Sequence, residues 1–201
     1  MKDKLEKALE DHTITIHSDN NLYVSDYKHY VNHYGVPKYD GKVVILNFEP
    51  NDWESIHIQN INNTEVCFDG FEENALPLAK GESNKQCECV LFPCNKRVDK
   101  WILFIETKYS DSFENAFREE NNYPYSMTEQ IIETVKYFRK KKIIQENKKV
   151  HAIVSFPKLV EEFNSYIFNG KISIEDIFVK HKIIIRGTKK AKIISDKRIK
   201  I

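Results

Sequence analysis

Glu106 and Lys108 stand two residues apart at the end of an apolar run, Trp101-Ile-Leu-Phe-Ile-Glu-Thr-Lys108. In a strand, residues i and i+2 share a face, so this carboxylate and this ammonium project together. A carboxylate can hold a divalent cation through oxygen. A neighbouring ammonium can steady an attacking water or a developing negative charge. That pairing suits metal-dependent phosphodiester chemistry. A second acid, Glu88, lies in the preceding run Gln86-Cys-Glu-Cys-Val-Leu-Phe92. If the two runs form a hairpin folded near residues 96–97, paired numbers sum to roughly 193–194, and Glu88 faces Glu106 or its immediate neighbour at about 4.5–5.5 Å between Cβ atoms. Two acids closing on one face repel each other unless a cation sits between them.

The triplet alone is a weak signal. The same acid-x-Lys spacing occurs at Asp26-Tyr-Lys28, Asp40-Gly-Lys42 and Glu146-Asn-Lys148. Only Glu106-Thr-Lys108 ends a long apolar run that follows another acid-bearing run. Asp69, at the end of Glu65-Val-Cys-Phe-Asp69, is a second choice for the first acid, and Asp99 a third.

The elements that would position these groups follow from periodicity. Residues 2–10 read as a short helix, Thr13–His17 and Val43–Phe48 as strands, and 19–40 as irregular. Ser126-Met-Thr-Glu129 has the form of a capping box, and the helix after it runs from Gln130 to Lys142 with Ile131, Val135 and Phe138 on one stripe. Gln130 and Tyr137 lie along the neighbouring stripe. Val150–Phe156 is an apolar strand, Leu159–Phe168 a helix, and Ile183–Arg186 with Ile193–Ile194 a terminal hairpin around Gly187. Strand, strand, strand, helix, strand is the order of an α/β domain with a mixed sheet.

With 201 residues, 41% apolar and 30% charged, the composition is that of a globular domain. The net charge of +1 does not announce a polyanion partner. Basic residues nevertheless gather late, at Arg139–Lys142, Lys148-Lys149, Lys189-Lys190 and Lys197-Arg198, where they could track a nucleic-acid backbone. No run approaches a membrane span of roughly 20 apolar residues, and the N-terminus lacks the apolar stretch of a signal peptide. The expected compartment is the cytoplasm, with Cys67, Cys87, Cys89 and Cys94 as reduced, buried small hydrophobes. Cys87 and Cys89 would share a strand face opposite Glu88. His29 and His33 have helical ligand spacing, but their polar surroundings read as a surface turn.

An acid on one strand, a hairpin, (D/E)-x-K at the end of the next strand and a following helix: this pattern resembles the PD-(D/E)XK nuclease superfamily. The resemblance covers about residues 65–156. It implies a restriction-endonuclease-like α/β fold, a mixed central β-sheet flanked by helices, in one domain over 1–201. Residues 1–64 would be an N-terminal elaboration, 65–156 the nuclease-like core and 157–201 a C-terminal helix-and-strand extension. It implies that Glu88 and Glu106 bind Mg²⁺ (or Mn²⁺) and that Lys108 orients the attacking water. One branch of the superfamily carries a Gln and a Tyr on the following helix, so Gln130 and Tyr137 join the catalytic candidates. The chain departs from the pattern at Cys87-Glu88, where the superfamily has Pro-Asp; the longer glutamate arm shifts the metal position. No cysteine follows Cys94, so the iron–sulfur cluster of some branches is not expected. The implied partner is nucleic acid, DNA by analogy, in restriction, phage defence or a mobile element. A homodimer or an operon-encoded protein partner is left open. The alternative is a catalytically inactive nucleic-acid- or protein-binding module on the same fold. A third reading is a small α/β protein whose partner is another protein of a defence or secretion operon, with the Tyr- and His-rich segment 23–39 as the candidate interface.

Overall fold

The computed structural model describes residues 1–9, 12–26, 43–50, 54–72, 74–77, 84–95, 100–110, 112–118, 122–159 and 173–201. The candidate acid Asp99, the His29/His33 pair and the expected helix after Leu159 lie outside these residues, apart from Leu159 itself.

Two adjoining sheets and a layer of helices account for the described residues. The central sheet has six strands in the order β1 (Thr15–His17), β5 (Val66–Gly70), β6 (Cys89–Pro93), β7 (Leu103–Thr107), β8 (Val150–Ser155) and β9 (Ile183–Gly187). From β1 to β7 the neighbours are antiparallel, while β7, β8 and β9 are parallel. The second sheet is ordered β11 (Arg198–Lys200), β10 (Lys190–Ser195), β4 (Ile56–Asn60), β2 (Asn21–Asp26) and β3 (Val43–Leu46). Four helices are described: α1 (Lys2–Ala8), α2 (Phe113–Phe117), α3 (Tyr123–Lys140) and α4 (Ile174–His181). The mixed α/β class is as expected. Among the described residues, helices cover one side of the central sheet and the second sheet covers the other.

The reason is visible in the alternation along the central strands. Val90, Phe104, Ala152 and Val154 enter one apolar cluster with Met127, Ile131, Val135 and Phe138 of α3. Leu91, Leu103, Ile105 and Ile153 enter a second cluster with Leu22, Val24, Ile56 and Ile58. All five residues of β6 and of β7 are buried. A strand apolar on both faces needs a cover on each, and the N-terminal strands β2–β4 supply the second. Gly70 ends β5 where a Cβ would collide with the Val43 carbonyl, so the absence of a side chain lets β3 approach the central sheet.

Several local expectations change. Helix α3 starts at Tyr123, upstream of the Ser126 capping box, because Pro124 suits the first turn. Asn21–Asp26 is a strand inside the segment expected to be irregular. The strands around Gly187 do not form a hairpin: β9 pairs with β8, whereas β10 crosses to the other sheet and runs parallel to β4. The terminal hairpin is β10–β11 instead. Cys67 and Cys94 are joined as a disulfide, with Cα atoms 5.1 Å apart. They meet because the β5–β6 register sets Val66 against Pro93, so the expectation of four reduced thiols is corrected for this pair. Cys87 and Cys89 are free and buried. Among the described residues no helix is long and apolar enough to cross a membrane.

Candidate active site

The site grows from the ends of β6 and β7. The hairpin register pairs Cys89 with Ile105, Val90 with Phe104 and Leu91 with Leu103, a sum of 194. Continued by one residue it would oppose Glu88 and Glu106. At that point the ladder changes. The Glu88 N–H donates to the Ile105 carbonyl at 3.0 Å, so Glu88 and Cys89 both address Ile105, the arrangement of a β-bulge. Cys87 therefore falls into the helix-side cluster and Cys89 into the other, correcting the expectation that they share a face.

Helix α3 holds the bulge in place. The Cys87 N–H donates to Thr134 Oγ1 at 2.8 Å. Thr134 in turn donates to the Gln130 carbonyl at 2.8 Å. Gln130 Nε2 donates to the Gln86 carbonyl at 2.9 Å. These bonds fix the chain entering β6 and with it the Glu88 side chain, whose Oε2 accepts from the Thr107 hydroxyl.

A cleft of about 370 Å³ opens beside these residues. Its walls include Glu88, Glu106 and Lys108 from the central sheet, Gln130 from α3, and Asp26 and Val43 from the second sheet. Glu106 is 0% exposed. Lys108 Nζ lies 2.6 Å from Glu106 Oε1, while Glu106 Oε2 is buried without a hydrogen-bond partner. Lys108 keeps 30% of its side chain exposed at the rim.

Charges confined this closely shift one another. Burial raises the Glu106 carboxyl to about 7; Lys108 pulls it down and Asp26 pushes it up. Glu88 is raised well above the carboxylate range, by burial first and then by the charges of Glu106 and Asp26. Burial works to lower the Lys108 pKa, but Glu106, Glu88 and Asp26 outweigh it and the net shift is upward. The ammonium thus stays charged beside two carboxyls that hold their protons unusually well.

The remaining sequence candidates lie elsewhere. Asp69 is buried on β5, with His12 Nδ1 3.0 and 2.9 Å from its two oxygens, and it does not line the cleft. Tyr137 is buried in the helix-side cluster, its ring beneath Lys141 Nζ at 5.5 Å, and it too is absent from the cleft wall. Glu72 also lines the cleft, and Asp26 is the other acid of its wall that sequence reasoning passed over. Its signal was the alternation Leu22, Val24 ending in an acid, which is a strand delivering a carboxylate.

The carboxylates that line the cleft offer oxygen, the type that hard divalent cations take. Among the described residues no group of three or more His, Cys, Asp and Glu side chains is gathered tightly enough to hold a metal by itself. Mg²⁺ does not need one, since it keeps several waters and commonly uses one or two carboxylates plus substrate phosphates. Glu106 Oε2, buried and unpartnered, fits that use. No protein-family model matches the chain, and neither the curated proteins nor the solved structures contain a match.

Proposed function

We propose that the protein is a metal-dependent nuclease that hydrolyses phosphodiester bonds, with Glu88, Glu106 and Lys108 as its reacting groups and Gln130 as a positioning residue. The observation that carries this reading is the meeting of two raised-pKa carboxyls and one ammonium in a single cleft, with one buried carboxylate oxygen left unpartnered. Perturbed titratable groups in a cleft mark a candidate reaction centre. Glu106 and Glu88 would hold Mg²⁺ or Mn²⁺; when bound, the ion supplies a water of lowered pKa and neutralises phosphate oxygens. Lys108 stays protonated and offsets negative charge growing at phosphorus. Thr107 steadies Glu88, and the Gln130–Gln86 bond fixes the strand entrance behind it. The strand–hairpin–strand–helix order on which the PD-(D/E)XK resemblance rests is present in β6, β7 and α3. The proposed substrate is DNA, on that resemblance alone.

Cleavage of plasmid and single-stranded DNA with Mg²⁺ or Mn²⁺ tests this, comparing wild type with Lys108→Ala and Glu106→Gln. Loss of cleavage in both variants is expected. Equal activity in wild type and Lys108→Ala would sink the role of Lys108.

A second reading, a catalytically inactive binding module, is favoured by one specific observation. Lys108 sits 2.6 Å from Glu106 and neutralises it without a metal. Calorimetry separates the two readings. Mg²⁺ binding that disappears in Glu106→Ala favours the enzyme, and salt-sensitive DNA binding with no Mg²⁺ binding favours the module.

A further inference from the structure

The four basic clusters of the sequence have different fates in the fold. Arg139 turns inward and donates to the carbonyls of Lys148 and His181 at 3.2 and 2.8 Å. Lys189 is held by Glu54 Oε2 at 2.8 Å and by the Pro157 carbonyl at 3.2 Å. Lys141 packs over the Tyr137 ring. These cations serve the architecture.

The β10–β11 hairpin is different. Ala191, Ile193 and Ile199 point into the layer between the sheets. The two-residue period of a strand then turns Lys190, Lys192, Arg198 and Lys200 to the outer side. Lys190, Arg198 and Lys200 are exposed and Lys192 is half-buried. Lys192 stands directly opposite Lys200 in the register. On the next strand Lys190 and Lys192 adjoin His57 and Gln59, which adjoin Tyr23 and Asn21 in turn. The outer face is therefore a cationic edge backed by polar and aromatic groups, with the Glu49 carboxylate close enough to act on Tyr23 and His57 behind it. The strands themselves read Lys-Ala-Lys-Ile-Ile-Ser and Arg-Ile-Lys, with no acid in either. The nearby acid Asp196 accepts from Asn95 at 2.7 Å. Among the described residues the side chains of Lys192, Arg198 and Lys200 have no hydrogen bond or ion pair.

Like charges placed directly opposite each other on a sheet are unfavourable. Charged side chains, lysine above all, blunt an exposed sheet edge against aggregation, and here both strands carry cations, with Lys192 and Lys200 face to face. A polyanion relieves that repulsion and releases its own counterions. A lipid surface fits less well, because membrane-surface elements also insert large apolar side chains. The exposed large apolar residues, such as Phe48, Phe113 and Val179, all lie off this hairpin.

We propose that the outer face of the β10–β11 hairpin binds the phosphate backbone of a nucleic acid through Lys190, Lys192, Arg198 and Lys200. This deepens the nucleic-acid part of the function proposed above and does not depend on the cleavage chemistry. The contacts read no sequence, since phosphate contacts position a protein without specifying bases.

The test is fluorescence anisotropy of the full chain with a labelled DNA duplex in EDTA, over a series of salt concentrations. Wild type is compared with Lys192→Ser/Lys200→Ser and with the charge-keeping Lys192→Arg/Lys200→Arg. The expected serine-variant result is weaker binding to every sequence alike, and a slope of log K against log salt shallower by about 0.9 per lost contact. The arginine variant should bind as wild type. Both positions are surface-facing, and a circular-dichroism melt checks that the variants fold. Equal affinity and slope in wild type and serine variant overturn the proposal. So do a wild type that fails to bind DNA and a wild type that binds anionic phospholipid vesicles as tightly as DNA. Because EDTA removes catalysis, a protein that binds DNA through this face and never cleaves it leaves the inference standing and removes only the nuclease reading.

Discussion

Asp69 on β5 and Glu106 on β7 are both 0% exposed, and each faces a basic side chain, His12 and Lys108. They differ in how completely they are paired. The His12 nitrogen reaches both Asp69 oxygens. Lys108 reaches one oxygen of Glu106 and leaves the other buried and bare. A carboxylate removed from water is tolerated only when it is paired and hydrogen-bonded. His12, brought from 57 residues away, closes the first pair and makes it part of the architecture. Lys108 comes from the same strand and sits at a cleft rim, and its pair is half open beside Glu88 and Asp26. Sequence reasoning set both acids down as metal candidates; the difference in their partners separates a structural acid from one available to a ligand.

Exchanging each carboxylate for its amide should break the molecule in two different ways. Glu106→Gln should lower cleavage about a thousandfold, the equivalent of losing about 4 kcal/mol of charge stabilisation, with the unfolding midpoint unchanged or raised. Asp69→Asn should do the reverse: folded protein keeps its activity, but stability falls by about 3 kcal/mol as a buried pair is broken. Urea unfolding and initial cleavage rates on the same preparations give both numbers. An Asp69→Asn protein that is stable and inactive would dissolve the distinction and move Asp69 into the site.

The pH dependence sharpens the contrast. Glu106 has a raised folded pKa, so the folded state binds its proton where the unfolded chain has released it. Stability of the metal-free protein therefore falls as pH rises from the ordinary carboxylate range, about 4.3, to about 7, by up to roughly 4 kcal/mol. Glu88 adds in the same direction. Burial works to lower the His12 pKa, but Asp69 raises it overall. Its contribution is therefore full below the ordinary histidine value and is lost as pH rises through the raised one. Unfolding midpoints across the pH range should show both declines. Glu106→Gln should shrink the acidic decline to the part that Glu88 contributes, and His12→Asn should flatten the neutral-to-alkaline one. Adding Mg²⁺ above neutral pH should recover the first and leave the second.

What could be read from the sequence follows the range of the interactions. The Glu88–Glu106 approach needs only a two-residue period and a hairpin midpoint, and the observed register of 194 lies within the range those set. The bulge at Glu88 was invisible because it depends on Thr134 and Gln130, residues of a helix that has yet to pack when the strand is read. Tyr137 shares an angular position with Gln130, but seven residues carry it about 10 Å further along the helix axis, away from the cleft. The β10–β11 hairpin was displaced because Gly187 looks like a turn, while the chain uses that region to cross between sheets. Asp26 was discarded as one chance triplet among several; only the packing of one sheet on the other makes it a neighbour of Glu106.

The smallest effect asks whether that second sheet matters to the open pair at all. The Tyr109 hydroxyl, one residue beyond Lys108, accepts from the Asp26 N–H at 3.3 Å, donates to the Glu54 carbonyl at 3.1 Å and touches Ser25 Oγ at 3.4 Å. It ties the sheet that carries Asp26 to the strand end that carries Glu106 and Lys108. Tyr109→Phe removes the hydroxyl and keeps the ring, so stability should fall by only about 1 kcal/mol. If Asp26 helps to attract a cation into the cleft, loosening it should weaken Mg²⁺ binding several-fold, and Asp26→Asn should weaken it at least as much. The two changes act through one carboxylate, so the double variant should be no worse than Asp26→Asn alone. Calorimetric titration of the four proteins measures this. Fully additive losses would mean that Tyr109 acts on the cleft by some route other than Asp26, and unchanged affinity in all of them would confine the cation to the central sheet.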